Sequence, residues 1–305
     1  MNVLLLQTSQ IGIRKAKYMT NYRITVLGGD MRNAKLSELL SQDGHYVHTY
    51  ALEISGNISQ RCSELDEAFA ISDIIVGPIP FFTGNGLYLN APLHSEKIEI
   101  AKVAETARKY NEKLLIGGNI PYALKKEVLT FEDLLLRDDL AILNSVPTAE
   151  GALQIAMEEL PYTIRGSKVL VCGMGRVGST LARLLKSVGA HVTVAARKSR
   201  DFAVCEAENI NYCNYSELPK VLADTKLIYN TVPSKIFEHE LLDAVKPDSL
   251  IIDLASMPGG VDFEYAAARH IRTIHALSLP GKVAPVGAAL IIQKVVYNIL
   301  NEKNF

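Results

Sequence analysis

The stretch VLVCGMGRVGSTLARLLKSVGAHVTVAARK, residues 169–198, decides the fold of the second half of the chain. An apolar run leads into three glycines spaced as G-x-G-x-x-G, and an amphipathic segment and a second apolar run follow. A strand, a glycine turn, a helix and a second strand in this order open a dinucleotide-binding Rossmann fold. The stretch therefore predicts a parallel sheet with a phosphate-binding turn.

The three glycines of this turn have different physical roles. Gly173 permits the tight turn, Gly175 lets a pyrophosphate approach the backbone, and Gly178 lets helix and strand pack closely. The helix that opens at Arg176 and Val177 offers free N–H groups and the positive end of its dipole. We expect these five residues to bind the phosphates of a cofactor, with a purely structural glycine turn as the alternative.

The end of the second apolar run indicates which dinucleotide is bound. An NAD site usually carries an acidic residue there, which binds the ribose 2′-hydroxyl. This chain instead has Arg197 and Lys198, followed by Ser199 and Arg200. A planar guanidinium among other donors suits a phosphate monoester, so we expect NADP, with NAD the less favoured cofactor. The alternative is that these charges only solvate the end of a strand.

Length and composition limit the class of protein. The 305 residues, of which 48% are hydrophobic, suffice for two compact domains. A net charge of −1 with interspersed signs argues against nucleic-acid or membrane partners. Four cysteines without metal-site spacing indicate a reduced, cytoplasmic protein with no metal site. We also expect residues 1–18 to be a loose extension ahead of the first strand, which begins at Arg23.

The alternation of short apolar runs with amphipathic segments predicts an α/β fold with two doubly wound parallel-sheet domains. We place an N-terminal substrate or partner domain at 22–146, with its last strand at 140–144. A dinucleotide-binding domain at 147–283 opens with a connecting helix over 147–160. The C-terminal segment 284–305 is predicted to be a helix that packs back on the first domain and closes a cleft.

Ligands of doubly wound domains lie at the carboxyl ends of the strands. In the second domain these ends carry small and polar side chains that we expect to line the nicotinamide side of the cofactor. Thr231 and Ser256 are suited to hydrogen-bond the ribose or the carboxamide. The full set is Thr231, Val232, Pro233, Asp253 and Ser256.

Two residues near the end of the last strand are candidates for catalysis. His275 has a side chain whose near-neutral pKa in water suits a general base beside hydride transfer. Lys282 follows in a loop between two prolines and suits a substrate carboxylate. The structural alternatives are a hydrogen-bonded histidine and a solvated lysine.

A second glycine turn occurs near the start of the chain, in VLGGDMRN. It lacks the full fingerprint, so a second nucleotide site is not expected there. We predict that Gly28, Gly29, Asp30 and Arg32 bind an anionic group of the substrate, against the alternative of simple turn chemistry.

Taken together in their order along the chain, VLGGDMRN, the glycine stretch, NTVPS, IIDLASMPGGVDF and HALSLPGKVAP resemble the A-subunit family of dipicolinate synthase. The resemblance runs from about residue 22 to near the end. It implies a sporulation enzyme of the mother-cell cytoplasm that oxidises dihydrodipicolinate to dipicolinate with a nicotinamide cofactor. It also implies a dicarboxylate substrate and a separate, flavoprotein-like B-subunit, and we expect a homo-oligomer.

The sequence differs from the family pattern at one place, and two alternative functions remain open. After LPGKVAP the family pattern continues with Thr-Ala-Gly, whereas this chain has Val-Gly-Ala-Ala at 286–289 and so lacks a hydroxyl. One alternative function is an oxidoreductase like D-2-hydroxyacid or alanine dehydrogenase. The other is a non-catalytic NADP-binding scaffold that organises a partner protein.

Overall fold

The computed structural model describes residues 21–53 and 59–305. The extension predicted at 1–18 lies outside the described residues. The chain divides into two compact units, one ending at Leu134 and the other comprising Leu135–Phe305. The boundary falls in a short 3₁₀ helix, Leu134–Leu136.

The first unit is built on a six-stranded parallel sheet with the order β3-β2-β1-β4-β7-β8, and β5 and β6 form a small antiparallel hairpin. Its strands are β1 Arg23–Leu27, β2 Tyr46–Tyr50, β3 Gln60–Arg61, β4 Ile74–Val76, β5 Phe82–Thr83, β6 Tyr88–Leu89, β7 Leu114–Gly117 and β8 Thr130–Asp133. Its helices are α1 Met31–Gln42, α2 Leu65–Ala70, α3 Ile100–Lys109 and α4 Tyr122–Lys125.

The second unit repeats this plan, with the sheet order β11-β10-β9-β12-β13-β14. Its strands are β9 Lys168–Cys172, β10 His191–Ala196, β11 Asn211–Asn214, β12 Leu227–Asn230, β13 Leu250–Asp253 and β14 Arg272–His275. Its helices are α5 Asp138–Glu159, α6 Arg176–Ser187, α7 Ser199–Ala207, α8 Leu218–Leu222, α9 His239–Ala244, α10 Phe263–Ala268, α11 Leu279–Val283 and α12 Pro285–Glu302, and a 3₁₀ turn covers Tyr215–Glu217.

The central strand β9 is buried on both faces, as expected for a sheet covered by helices on both sides. Val169 and Val171 pack into one core cluster, and Leu170 and Cys172 pack into another. Because side chains alternate along a strand, these two clusters lie on opposite faces of the sheet. The predicted fold class, two doubly wound parallel sheets, is confirmed.

The helix that opens the second unit differs from the prediction. Residues 140–144, predicted as a strand, belong to α5, which begins at Asp138 and continues through Pro147. A short, mainly apolar run such as LAILN cannot be assigned to a strand or a helix by periodicity alone. Proline normally ends or kinks a helix, so the sequence favours a start at Pro147. Asp138 and Asp139 instead supply the acidic first turn that complements the helix dipole.

The C-terminal helix forms as predicted, and this helix, α12, belongs to the second unit. It is joined to the start of α5 by polar contacts. Arg137 donates to the Glu302 carboxylate at 2.7 and 2.8 Å, and Asn298 donates to Asp139 at 3.0 Å. The predicted packing of this helix on the first unit stays a prediction.

Candidate functional site

The glycine turn between β9 and α6 has two positions where a side chain would not fit. A Cβ atom at Gly173, whose φ is +98°, would lie 2.6 Å from Thr231 Oγ1. One at Gly178 would lie 2.1 Å from the carbonyl oxygen of Gly173. At Gly175, in contrast, a Cβ would meet no described atom within 4 Å. The turn is therefore closed on its inner side and open at Gly175.

The start of α6 offers donors at this open side. Gly175 precedes the helix, and no side chain among the described residues caps it. The first N–H groups of an uncapped helix have no partner within the helix, so they are available to an anion. The Arg176 side chain forms an ion pair with Asp138 of α5, and Val177 follows in the same first turn. Together with the open space, these donors fit a pyrophosphate.

The end of β10 places the predicted basic residues in solvent. Arg197, Lys198, Ser199 and Arg200 are exposed, and α7 begins at Ser199. The guanidinium of Arg197 lies 5.0 Å from the ring centroid of Tyr215, within the range of a cation–π contact. Burial raises the pKa of the Tyr215 hydroxyl, so Tyr215 stays neutral beside Arg197. No pattern in the sequence singles out Tyr215 as a neighbour of these cations.

The loop after β12 is tied to the glycine turn. Thr231 Oγ1 donates to the carbonyl of Cys172 at 2.8 Å. Val232 lies against the turn, because a Cβ at Gly173 would be 2.8 Å from its Cγ2 atom. Pro233 of this loop and Ser256 of the loop after β13 are exposed to solvent, whereas Asn230 is fully buried. Thr231 and Val232 therefore border the glycine turn.

Asp253, predicted to contact a cofactor, is fully buried at the end of β13. Its carboxylate accepts hydrogen bonds from Asn230 Nδ2 at 2.8 Å, from the Ala255 N–H at 3.0 Å and from the Gly260 N–H at 2.7 Å. These contacts shape the loop that follows. A direct contact of Asp253 with a cofactor stays a prediction.

His275 lies at the end of β14, and one nitrogen of its ring makes a hydrogen bond within the protein. Its Nε2 atom lies 2.8 Å from the carbonyl oxygen of Ala255, and its ring stacks on Phe263 with centroids 5.2 Å apart. A carbonyl accepts only, so Nε2 carries a hydrogen and donates. Nδ1 is then the nitrogen that can take a proton. Lys282 lies on α11, a short helix that replaces the predicted loop.

In the first unit the predicted anion-binding residues make internal contacts. Arg32 is nearly buried and donates to both oxygens of Asp30 and, at 2.7 Å, to the carbonyl of Ile79. Burial alone would raise the pKa of Asp30, but the bonds and charge of Arg32 outweigh it and hold that pKa below its usual value. Gly28 and Gly29 both have positive φ in the turn before α1. Substrate binding by these four residues stays a prediction.

The first unit has the strand order of a nucleotide-binding domain, but a phenyl ring covers the ends of two of its strands. The side chain of Phe81 is fully buried over the ends of β4 and β7. Cβ atoms at Gly77 and Gly117 would lie 2.3 and 2.5 Å from the Phe81 ring. The glycines there accommodate a phenyl ring over the strand ends that correspond to those of β12 and β13 in the second unit.

Metal and membrane sites are not found in the described part of the chain. Among these residues, no group of three or more His, Cys, Asp or Glu side chains is arranged to hold a metal ion. No helix within 21–53 or 59–305 combines the length and apolarity that crossing a membrane requires.

Comparison with protein families divides the chain in the same way. Residues 23–132 match the model of the dipicolinate synthase A-subunit N-terminal domain. Residues 145–258 match the model of the D-isomer specific 2-hydroxyacid dehydrogenase, NAD binding domain. The second match includes the open glycine turn and the loop after β12. The chain is an NAD(P)-dependent oxidoreductase, and its second unit is the dinucleotide-binding domain.

The chain is also similar to known proteins over almost its whole length. It is 33% identical to the dipicolinate synthase A-subunit of Bacillus subtilis (strain 168) over 294 residues, 93% of this chain and 97% of that protein. The crystal structure of the A-subunit from Bacillus halodurans has a TM-score of 0.85 at 30% identity, covering 92% of this chain and 98% of that one. A transhydrogenase from Sinorhizobium meliloti shares the fold, with a TM-score of 0.68 at 15% identity and coverage of 92% and 94%. The chain therefore belongs to the A-subunit family of dipicolinate synthase.

Proposed function

We propose that this chain oxidises dihydrodipicolinate to dipicolinate by hydride transfer to NADP during sporulation, acting with a B-subunit. The observation that carries the proposal is the 33% identity to a dipicolinate synthase A-subunit over 93% of the chain. The open phosphate turn at Gly175 supports it, because a dehydrogenase of this kind needs a place for a dinucleotide.

NADP, when bound, supplies the hydride acceptor. The N–H groups at the start of α6 hold its pyrophosphate beside Gly175. Arg197, Lys198, Ser199 and Arg200 hold the 2′-phosphate, since the end of β10 carries cations where an NAD site carries a carboxylate. The cofactor-facing loops after β12 and β13 contribute Thr231, Val232, Pro233 and Ser256.

The substrate loses a proton as well as a hydride. His275 Nδ1 is the proposed acceptor of this proton, because Nε2 is committed to Ala255. Lys282, in the last turn of α11, is the proposed partner of one substrate carboxylate, and the turn Gly28–Arg32 is the proposed site for an anionic group in the first unit. Aromatisation of the ring favours the hydride step, so the demand on the protein is mainly positioning.

The remaining parts of the proposal follow from the family. The partner is the B-subunit of dipicolinate synthase, the substrate is a small dicarboxylate, and the setting is the cytoplasm of the sporulating mother cell. A homo-oligomer is proposed as the working form.

The test combines the purified chain, the B-subunit, dihydrodipicolinate and either NADP or NAD, with dipicolinate absorbance as the measurement. The wild-type chain should favour NADP, and Arg197→Asp should lower kcat/KM for NADP about 10- to 100-fold, the cost of a lost charged hydrogen bond. Lys220→Asp, an exposed lysine at the end of α8, is the matched charge-reversal control and should leave the cofactor ratio unchanged.

Two results would contradict the proposal. Equal turnover with NAD and NADP, unaffected by Arg197→Asp, would show that the 2′-phosphate is not bound at the end of β10. Turnover that survives the loss of dinucleotide binding by this chain would favour the scaffold alternative.

A further inference from the structure

A buried amide and a buried carboxylate lie side by side at the ends of β12 and β13. Asn230 and Asp253 are both fully buried and stand opposite each other in the strand register. Asn230 Nδ2 donates to Asp253 Oδ1 at 2.8 Å. Polar groups at this depth are costly unless their bonds are made, so each of the two side chains requires partners.

The carboxylate holds both ends of the loop after β13. Asp253 Oδ1 accepts from the Ala255 N–H at 3.0 Å, and Oδ2 accepts from the Gly260 N–H at 2.7 Å. The carbonyl of Ala255 in turn accepts from His275. The backbone of Ala255 is therefore held on its N–H side by Asp253 and on its C=O side by the histidine.

The amide of Asn230 holds the start of the loop after β12, and Gly260 holds its far end. Asn230 Oδ1 accepts from the Val232 N–H at 3.2 Å, and Nδ2 donates to the Val232 carbonyl at 3.1 Å. The carbonyl of Gly260 accepts from the N–H groups of Ile236 and Phe237, each at 3.0 Å. The two loops and the two side chains are thus connected by one hydrogen-bond network.

At Gly260 this network leaves no space for a side chain. A Cβ there would lie 2.2 Å from Asn230 Nδ2 and 2.9 Å from the carbonyl oxygen of Val232. The close approach of the two loops requires a glycine at this position, so a methyl group at 260 would displace the amide from the carboxylate.

We propose that Asn230 and Asp253 are positioning residues that set the shape of loops 231–237 and 254–260 and through them hold the nicotinamide half of the cofactor. The inference rests on the proposed function, in which these loops face that half. The proposed phosphate donors are N–H groups at the start of α6 beside Gly175, which belong to neither loop. Loss of the pair therefore loosens the nicotinamide half and spares the adenosine half.

Asp253→Asn is the decisive variant, because it keeps the shape of the side chain and replaces one acceptor by an NH₂ donor. If that donor takes the place of Oδ2, it faces the Gly260 N–H and one bond is lost; if it takes the place of Oδ1, it faces the Ala255 N–H and Asn230 Nδ2 and two are lost. At least one bond is therefore lost whichever way the amide turns. By calorimetry, the Kd for NADPH should rise about tenfold or more, equivalent to losing one such bond. The Kd for adenosine 2′,5′-bisphosphate, a probe without the nicotinamide half, should stay within about twofold.

Hydrogen exchange of the free protein provides a second measurement that needs no cofactor. In Asp253→Asn the amides of Ala255 and Gly260 should exchange about tenfold faster, while those of β9 and α6 keep their wild-type rates. Gly260→Ala changes neither polar residue but displaces the amide of Asn230, so it should give the same pattern.

The matched control is Ser249→Ala. Ser249 is fully buried just before the opposite end of β13 and donates to the Thr225 carbonyl at 3.1 Å. The variant loses a buried hydrogen bond at the far end of the strand from both loops, so it should lower stability without changing the ratio of the two Kd values. This separates positioning from a general loss of stability.

The inference is overturned if Asp253→Asn and Gly260→Ala leave the exchange of loop 254–260 at the wild-type rate. It is also overturned if Asp253→Asn weakens both ligands by the same factor. If the wild-type chain binds neither ligand, the proposed cofactor is wrong, and the exchange experiment still decides whether the pair holds the loops.

Discussion

Two glycines of one turn differ in what a methyl group would meet. At Gly178 a Cβ would press on the Gly173 carbonyl at 2.1 Å, whereas at Gly175 it would meet no described atom within 4 Å. Gly175 also has a φ of −75°, which any residue adopts. Gly178 is thus required by the fold, and Gly175 has no structural reason to lack a side chain. The proposed binding of a pyrophosphate at this position would supply that reason.

This difference predicts opposite outcomes for two alanine variants. Gly175→Ala should change the free energy of unfolding by less than about 0.5 kcal/mol and raise the Kd for NADPH at least about tenfold, because the methyl group occupies the approach of the phosphates. Gly178→Ala should instead destabilise the second unit by about 1–3 kcal/mol through the clash with Gly173. Thermal unfolding and calorimetric titration measure the two quantities. Full NADPH affinity in Gly175→Ala would contradict the assignment of the turn.

At the scale of elements, α5 and α12 are held together by a small network of charges. Arg137 donates to both Asp139 and Glu302, and Asn298 of α12 also donates to Asp139. The Arg137 hydrogen bonds lower the pKa of Asp139 from 3.8 to about 2. Because the folded pKa lies below the unfolded one, the network stabilises the fold above about pH 4, and this contribution is lost as the pH falls to about 2.

Replacement of this carboxylate should make the effect visible. Asp139→Asn is expected to lower the melting temperature at pH 7 by about 1–3 °C, a small value because the pair is partly solvated. The difference from wild type should shrink between pH 4 and pH 2. Glu240→Gln, an exposed carboxyl on α9, serves as the control. A difference that is constant with pH would show that the network does not depend on the charge of Asp139.

At the scale of the whole molecule, the residues proposed to bind the cofactor and the two loops after β12 and β13 all belong to the second unit. The turn at Gly175, the cations after β10 and the pair Asn230–Asp253 all lie within Leu135–Phe305. In the first unit, the strand ends that correspond to those of β12 and β13 are covered by the side chain of Phe81. Dinucleotide binding should therefore be a property of the second unit by itself.

A fragment comprising residues 135–305 tests this division. It should fold, shown by a cooperative thermal transition, and bind NADPH with a Kd within about threefold of the full chain. It should not produce dipicolinate with the B-subunit, because the first unit is proposed to bind substrate. A folded fragment without NADPH affinity would place part of the cofactor site in the first unit.

Much of the fold can be predicted because its patterns are local. The glycine spacing, the apolar strands and the start of α6 lie within about thirty consecutive residues, so the second unit is recognisable as a dinucleotide-binding domain. The start of α5 cannot be predicted in this way, because a short apolar run before Pro147 is compatible with either a strand or a helix. For the candidate site, the basic residues after β10 are evident from the same local pattern.

The sequence by itself therefore determined the alternation of strands and helices, the phosphate turn and the cationic end of β10, because each depends on neighbouring residues. Only the tertiary structure decided which hydrogen-bond partners the buried polar side chains have. Arg32 donates a hydrogen bond to the carbonyl of Ile79, 47 residues away in the sequence, and Asn230 donates to Asp253, 23 residues away. A buried polar group must find its partner wherever the fold places one, and that partner is set by packing between distant segments.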